Sequence, residues 1–577
     1  MPKKPFSGKA KKQQLQLKKQ SKLCNIQGIS NKNAVTLLTK KQDDSDNEFD
    51  LPICQKINAQ PKVRGGRGKP NRYVLQFYQE TEKEIKTKKE AAKQKLELSL
   101  EDSLEINIDD YFEPALDFPK RPPWNFEMTR EQLEAREHKY FMEYIETLEK
   151  LYDFSKLSYF ELNLETWRQL WRVLEISDVI LLIVDIRFPA LMFPPSLHSF
   201  IKGIKKDMIL ILNKIDLAPA PLVVAWLHYF KEKFSDLEVL CFTSYPGYNI
   251  QSRNKTVIKN SKRKGRFRMA AEGAEKLLQV CQNITQGKVD LTSWKTKITE
   301  EKTLEYECDE VKIEVGKTII SKVDTSYEEC PKFNGNILTI GCIGQPNAGK
   351  SSLINAIMGK KVVSVSRTPG HTKHFQTIFL TNNVRLCDCP GLVFPSKVPK
   401  TLQILMGSYP IAQLREPFSA IRFLAEHVDL VKTLKIVHPD GDDTWSALDI
   451  CDGWAHKRGF RTAKAARLDT HRAANNLLRM ALDGRIILCL VPPKYTSLKD
   501  YWQNHVDVPS VLYIQANSEE QRQYLEAEYS EISKEESEDD YNESENTSDF
   551  DHSSDDSEES SDGMTMTNKF NVLSNIQ

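Results

Sequence analysis

Long apolar runs are missing from this chain. The most apolar stretch, residues 178–186, is far shorter than the roughly 20 residues a helix needs to cross a bilayer. The first residues, MPKKPFSGKAKKQQLQLKK, carry cations without the apolar core of a secretory signal. The expectation is a protein that is neither secreted nor membrane-spanning and has no membrane partner. Cysteine pairs are scarce as well. The 11 cysteines are scattered, and the tight pair Cys387 and Cys389 has no second pair at zinc-ligand spacing, so they read as reduced core thiols. Net charge is nearly absent, at +1, but this balance conceals a polarity. Lys and Arg crowd the first hundred residues, while Asp, Glu and Ser crowd the last fifty. With 28% charged residues in 577 and a mean hydropathy of -0.50, much of the chain lies outside any core.

The organisation follows from composition and periodicity. Residues 1–110 form a basic, low-aromatic arm, expected to be largely disordered, with the patch KVRGGRGKP and the helix-prone run KEIKTKKEAAKQK. Helical periodicity begins near Glu131, and residues 161–176 space Leu164, Trp167, Leu170, Trp171 and Leu174 along one apolar face. Three Ile- and Val-rich runs, DVILLIVD, DMILILNKID and LEVLCFTS, then read as strands buried on both faces of a parallel sheet. A basic insertion (245–268), a short helical run and a linker without clear periodicity (287–336) separate them from three more: ILTIGCIG, FQTIFLTN and VRLCDCPG. Six strands alternating with helices indicate a doubly wound α/β domain over residues 119–395. Residues 396–495 read as a small C-terminal α-helical domain, closed by the strand-like RIILCLVPP, and 518–577 as an acidic, Ser-rich disordered tail.

The chemistry is concentrated in a few short motifs. GQPNAGKS (Gly344, Gln345, Pro346, Asn347, Ala348, Gly349, Lys350, Ser351) fits G-x-x-x-x-G-K-[ST] between a strand and a helix that continues with Ser352. Its backbone N–H groups would close around a phosphate, with Lys350 at the β- and γ-phosphates and Ser351 on Mg²⁺. NKID (Asn213, Lys214, Ile215, Asp216) ends a strand. The Asp216 carboxylate there would accept from N1–H and the 2-amino group of guanine, a pair of donors that adenine lacks. Thr243 and Ser244 stand where backbone N–H groups would meet the guanine O6. DCPG (Asp388, Cys389, Pro390, Gly391) ends another strand, with Asp388 towards Mg²⁺ and the Gly391 N–H towards the γ-phosphate. Thr372, in the SRTPGHTKHF loop, is the candidate Mg²⁺-contacting switch threonine; the other reading is a surface turn around Pro369 and Gly370.

The base-reading motif lies upstream of the phosphate loop, the reverse of a conventional GTPase. Rejoining a domain at surface connections preserves its sheet neighbours, so this order is that of a circularly permuted P-loop GTPase, a three-layer α/β/α domain. These motifs, with residues 160–189 (FELNLETWRQLWRVLEISDVILLIVDIRFP) and 362–377 (VVSVSRTPGHTKHFQT), resemble the YlqF/YawG family over residues 119–493. DIRFP matches the family signature D-A-R-x-P except for Ile186. The resemblance implies GTP and Mg²⁺ as cofactors, and K⁺ at Asn347. It also implies slow hydrolysis without a catalytic base, because Leu392 stands where Ras-like enzymes carry a water-orienting Gln. It further implies an RNA-containing, pre-ribosomal particle as partner and a nuclear or nucleolar location, with shuttling to the cytoplasm left open.

The basic arm fits either RNA contact or nuclear import machinery. Lys464, Arg467, Arg472 and Arg479 recur along one helical stretch and fit either RNA or a solvated face. Serines such as Ser553, Ser554 and Ser557, set among acids, suit phosphorylation. Three readings remain at this point: a GTPase switch on an RNA-rich particle, a regulatory GTP-binding protein with nuclear protein partners, and an ATP-driven P-loop enzyme.

Overall fold

In the computed structural model the described residues are 56–57, 75–243, 270–303 and 332–515, apart from 367, 368, 371, 373, 463–465 and 513. The six apolar runs become strands β1 (Val179–Asp185), β2 (Asp207–Asn213), β3 (Glu238–Cys241), β4 (Leu338–Ile343), β5 (Gln376–Thr381) and β6 (Val384–Asp388). They form one sheet in the order β3-β2-β1-β4-β6-β5. Every residue of β1 and β4 is buried, as expected of strands covered on both faces. β1 and β4 pair in parallel, Val179 opposite Ile340, although a long stretch of chain separates them. This pairing is what makes the rotated motif order harmless: β1, β2, β4 and β6 run parallel and end on the same edge. The expected all-parallel sheet is corrected at one edge, where β5 runs antiparallel to β6. Asn382 and Asn383 alone connect them, and so short a link permits only a hairpin.

The helices begin N-terminal to the sheet with α1 (Glu82–Ala92) and α2 (Arg130–Leu151), each opened by a capping box, Thr81 with Glu84 and Thr129 with Gln132. In α3 (Leu164–Ile176), capped by the Asn163 side chain, the apolar face is buried against the sheet, with Trp167 wholly enclosed. Next come α4 (Pro195–Gly203), packed on β2, then α5 (Ala220–Lys233) and α6 (Ala271–Thr285), both on β3. They are followed by α7 (Thr292–Thr303) and by α8 (Lys350–Met358), which contacts β6. Beyond β6 lie α9 (Lys400–Leu405), α10 (Phe418–His427), α11 (Ala447–Arg458), α12 (Thr470–Leu482) and α13 (Lys499–Gln503). The described residues fall within one compact unit, and no helix among them is long and apolar enough to cross a membrane.

Four sequence expectations change. Residues 75–110, assigned to the disordered arm, pack into the fold: Leu75, Phe77, Ile85, Ile106 and Ile108 are buried, and α1 lies on α10. Their apolar residues come in runs of only a few, such as YVLQFY and LEINI, and are covered by groups distant in sequence. The 287–336 linker opens with α7, which buries Trp294 and Ile298. RIILCLVPP forms no strand; Val491 makes an isolated parallel bridge to Glu105, the Leu490 N–H donates to Arg187 O at 2.9 Å and Trp226 Nε1–H to Leu490 O at 3.1 Å. Finally, Arg467 precedes α12, which the Asp469 side chain caps, so only Arg472 and Arg479 share that helix. The insertion, the acidic tail, Lys464 and most of the basic arm lie outside the described residues.

Candidate nucleotide site

The carboxyl ends of β1, β2, β4 and β6 meet at one edge of the sheet, the place where open α/β sheets bind ligands. After β4 the chain turns through residues 344–349 into the N-terminus of α8. Asn347 and Gly349 take left-handed backbone there, with φ of 58° and 100°. A side chain at Gly349 is excluded twice over, because a Cβ would lie 2.3 Å from Asn213 Nδ2. Lys350 is buried and donates to Gln345 O at 2.8 Å. Burial lowers its ammonium from the ordinary lysine value, with Asp388 opposing that shift.

Ser351 Oγ donates to Asp388 Oδ2 at 2.8 Å. The other Asp388 oxygen, Oδ1, is buried and has no hydrogen-bond partner among the described residues. An orphan carboxylate oxygen beside a serine hydroxyl fits a hard divalent cation, so Asp388 and Ser351 suit Mg²⁺. Burial pushes the Asp388 carboxyl up to about 6, against the pull of Lys350 and Ser351. Cys389 and Pro390 are buried, and at Gly391 a Cβ would meet the Pro346 backbone at 2.8 Å. DCPG therefore lies directly on the phosphate loop, and the Leu392 N–H donates to Gly344 O at 3.2 Å. Cys387 is buried too, with its thiol pushed up to about 11 by burial, as befits an unreactive core thiol.

Asn213 and Lys214 reach the same loop, from β2. The Asn213 side chain donates to Ala348 O at 2.8 Å, and Lys214 Nζ to Asn347 O at 2.7 Å. Ile215 is buried, and Asp216 receives the Thr243 hydroxyl at 3.2 Å. Burial raises the Asp216 carboxyl, while the Thr243 bond and Lys214 act the other way. Thr243 thus engages Asp216 through its side chain, beyond the backbone role expected of it. Ser244 lies outside the described residues. Thr372 sits in the loop before β5, and among the described residues no hydrogen bond joins it to the phosphate loop or to Asp388. Ser352 is half-buried on the first turn of α8.

Sequence reasoning missed the residues that tie this site to the C-terminal helices. Asp185, at the end of β1, accepts from Arg187 Nη2 at 2.8 Å and from Lys214 Nζ at 2.8 Å. Burial opposes its ionisation, but the two cations prevail and hold its carboxyl well below the usual range. Arg187, equally buried, donates Nη1–H to Ala481 O of α12 at 2.7 Å. The Asn347 side chain donates to Gly407 O at 2.8 Å, and the Ser408 hydroxyl donates to Gln345 Oε1 at 2.7 Å. The available signal was DIRFP itself, an Asp–x–Arg pair directly after a fully apolar strand.

Fold and site together define a P-loop GTP-binding protein whose motifs run in rotated order. The profile of a family described as "50S ribosome-binding GTPase" matches residues 339–434. Guanine nucleotide-binding protein-like 1 from Pongo abelii and from Homo sapiens are each 44% identical over 540 residues, covering 89% of this chain and 89% of theirs. Large subunit GTPase 1 from Schizosaccharomyces pombe is 34% identical over 400 residues, covering 66% of this chain and 59% of its own. The solved structure of GNP-bound YlqF from T. maritima aligns with a TM-score of 0.32 at 17% identity, over 57% of this chain and 99% of that one. This chain belongs to the circularly permuted GTPase family of the guanine nucleotide-binding protein-like 1 proteins.

Two outcomes follow from this geometry. Asp216→Asn loses the carboxylate that would pair with guanine. Its GTP affinity, measured with a fluorescent analogue, falls by about a hundredfold or more and preference shifts towards the xanthine nucleotide. For Asp388, a raised folded-state carboxyl contributes stability that is present at low pH and lost as pH rises through about 6. Asp388→Asn therefore raises the thermal midpoint of nucleotide-free protein more at pH values well above 6 than at values well below it.

Proposed function

We propose that this protein is a Mg²⁺-dependent GTPase switch with slow intrinsic hydrolysis, whose GTP-bound form joins an RNA-containing, pre-ribosomal assembly. The observation that carries the switch is the double attachment of the phosphate loop to the turn beyond DCPG, Asn347 to Gly407 and Gln345 to Ser408. A change at the γ-phosphate is felt by Gly391, which abuts Pro346, and is passed to residues that lead into α10 and α12. Mg²⁺ bound by Asp388 and Ser351 would neutralise charge on the β- and γ-phosphates; Lys350 and the loop N–H groups would orient them. K⁺ is part of the proposal: with its side-chain nitrogen committed to Gly407, Asn347 has its side-chain Oδ1 to offer a monovalent cation.

Slow hydrolysis is supported by Leu392, which is buried and apolar and follows DCPG directly. It has no group to orient water, so acceleration falls to the partner. The particle is supported by the family description, 50S ribosome-binding GTPase, by the relative Large subunit GTPase 1, by the basic N-terminal arm and by the basic insertion. A nuclear and nucleolar location goes with the same basic arm. Leu392 equally favours a second reading, in which GTP sets a conformation for nuclear protein partners and hydrolysis is dispensable.

Single-turnover GTP hydrolysis with and without ribosomal subunits separates the two, together with sedimentation in GDP and in a non-hydrolysable GTP analogue. The switch predicts acceleration of about tenfold or more, within the range an activating partner supplies, and co-sedimentation with the analogue. No stimulation and no co-sedimentation in either nucleotide contradicts it.

A further inference from the structure

Away from the nucleotide edge, α5 and the segment after α13 bring together two imidazoles and a carboxylate that the GTPase chemistry does not use. His228 Nε2 lies 3.0 Å from Asp507 Oδ2, and His505 Nδ1 lies 3.6 Å from the same oxygen. One ligand atom from each of the three residues falls within 4.8 Å of the other two. A tetrahedral ion with bonds of about 2.0–2.1 Å to nitrogen and oxygen needs donor atoms spaced by about 3.3 Å. The two measured edges bracket that spacing, so small rotations of side chains complete the set.

The Asp507 backbone N–H donates to His505 Nδ1 at 3.2 Å, which makes that nitrogen the unprotonated one; ligation through it exchanges this long hydrogen bond for the ion. Trp502 stacks on His505 at 5.6 Å with an interplanar angle of 30°, and the two imidazoles meet edge to face at 4.6 Å. His228 and Asp507 are partly exposed, leaving room for a water as fourth ligand. Two imidazoles and a carboxylate are a donor set for Zn²⁺, whereas the family's Mg²⁺ prefers oxygen ligands alone.

We propose that His228, His505 and Asp507 form a Zn²⁺-binding site that clasps the C-terminal segment onto α5. Residues 279 positions apart in sequence are joined by the ion, and the clasped segment continues to Gln515, whose side chain donates to Ile215 O and Ala218 O at 2.6 Å each. The clasp thereby seats the end of the described chain against the guanine-reading loop. It stands independently of the proposed ribosomal role.

The test titrates full-length, chelator-treated protein with Zn²⁺ alone against a chromophoric competitor. The wild type is expected to bind one equivalent that His228→Ala and Asp507→Asn weaken by at least the ~10–100-fold typical of losing even an outer-shell partner. GTP affinity retained by both variants shows that they are folded. Co²⁺ in the same site gives a tetrahedral visible spectrum without a sulfur charge-transfer band. Zn²⁺ also slows tryptic cleavage at Lys499 in the wild type and not in Asp507→Asn. No tight equivalent in the wild type, unchanged affinity in the variants, a cobalt–thiolate band from cysteine ligation, or cleavage indifferent to Zn²⁺ would each overturn the proposal.

Discussion

Asp185 is a wholly buried carboxylate with two cations on it, and the nucleotide edge is organised around that arrangement. Taking charges out of water is costly, and a buried pair persists only when geometry is good and the remaining donors are satisfied. Here Arg187 also donates to the carbonyls of Ala481 and Leu482 at the end of α12, and Lys214 to the carbonyl of Asn347. One carboxylate therefore links three parts of the molecule: the end of β1, the phosphate loop and the last long helix. Removing it would leave two cations without their partner, one of them fully enclosed, so the site and the helices stand or fall together.

The rotation of the chain acquires physical meaning from this linkage. In the sheet the rotation is invisible, since β1 pairs with β4 as neighbours must. After DCPG, however, none of the described residues returns to the sheet, and the chain enters α9, whose following turn carries the Gly407 carbonyl and the Ser408 hydroxyl back to the phosphate loop. Gly407 has a left-handed φ of 75°, and a Cβ there would lie 2.7 Å from Asn347 Nδ2. The turn is shaped to touch the loop. On the proposed switch, the phosphate sensor and the C-terminal helices are one bonded assembly, not two domains joined by a linker.

Much of this was legible in sequence, for definite reasons. The strands announced themselves because both faces are covered, so β1 and β2 are, between their ends, almost uninterrupted Ile, Leu, Val and Met. The phosphate loop was legible because its glycines meet backbone demands that other residues cannot. Arg187 was not, because its partners on α12 lie 294 residues away, and nothing local indicates which carbonyl a buried guanidinium will meet. Phe77 and Ile108 were hidden for a related reason: they lie in short apolar runs, YVLQFY and LEINI, that do not show which distant groups will cover them, Tyr159 and Tyr409 at Phe77 and Tyr229 at Ile108. The antiparallel direction of β5 is legible only in the two-asparagine link, because the strand residues themselves read alike in either direction.

On the proposed switch, nucleotide state travels from the phosphate loop through Asn347 and Gln345 to the C-terminal helices. Amide hydrogen exchange over residues 400–414 and 470–482 tests it directly, comparing GDP with a non-hydrolysable GTP analogue in the wild type and in Asn347→Ala. The account predicts exchange that differs between nucleotides in both segments of the wild type, with the difference diminished in the variant although both nucleotides still bind. Exchange in these segments that is the same in both nucleotide states, or a difference untouched by Asn347→Ala, would contradict it.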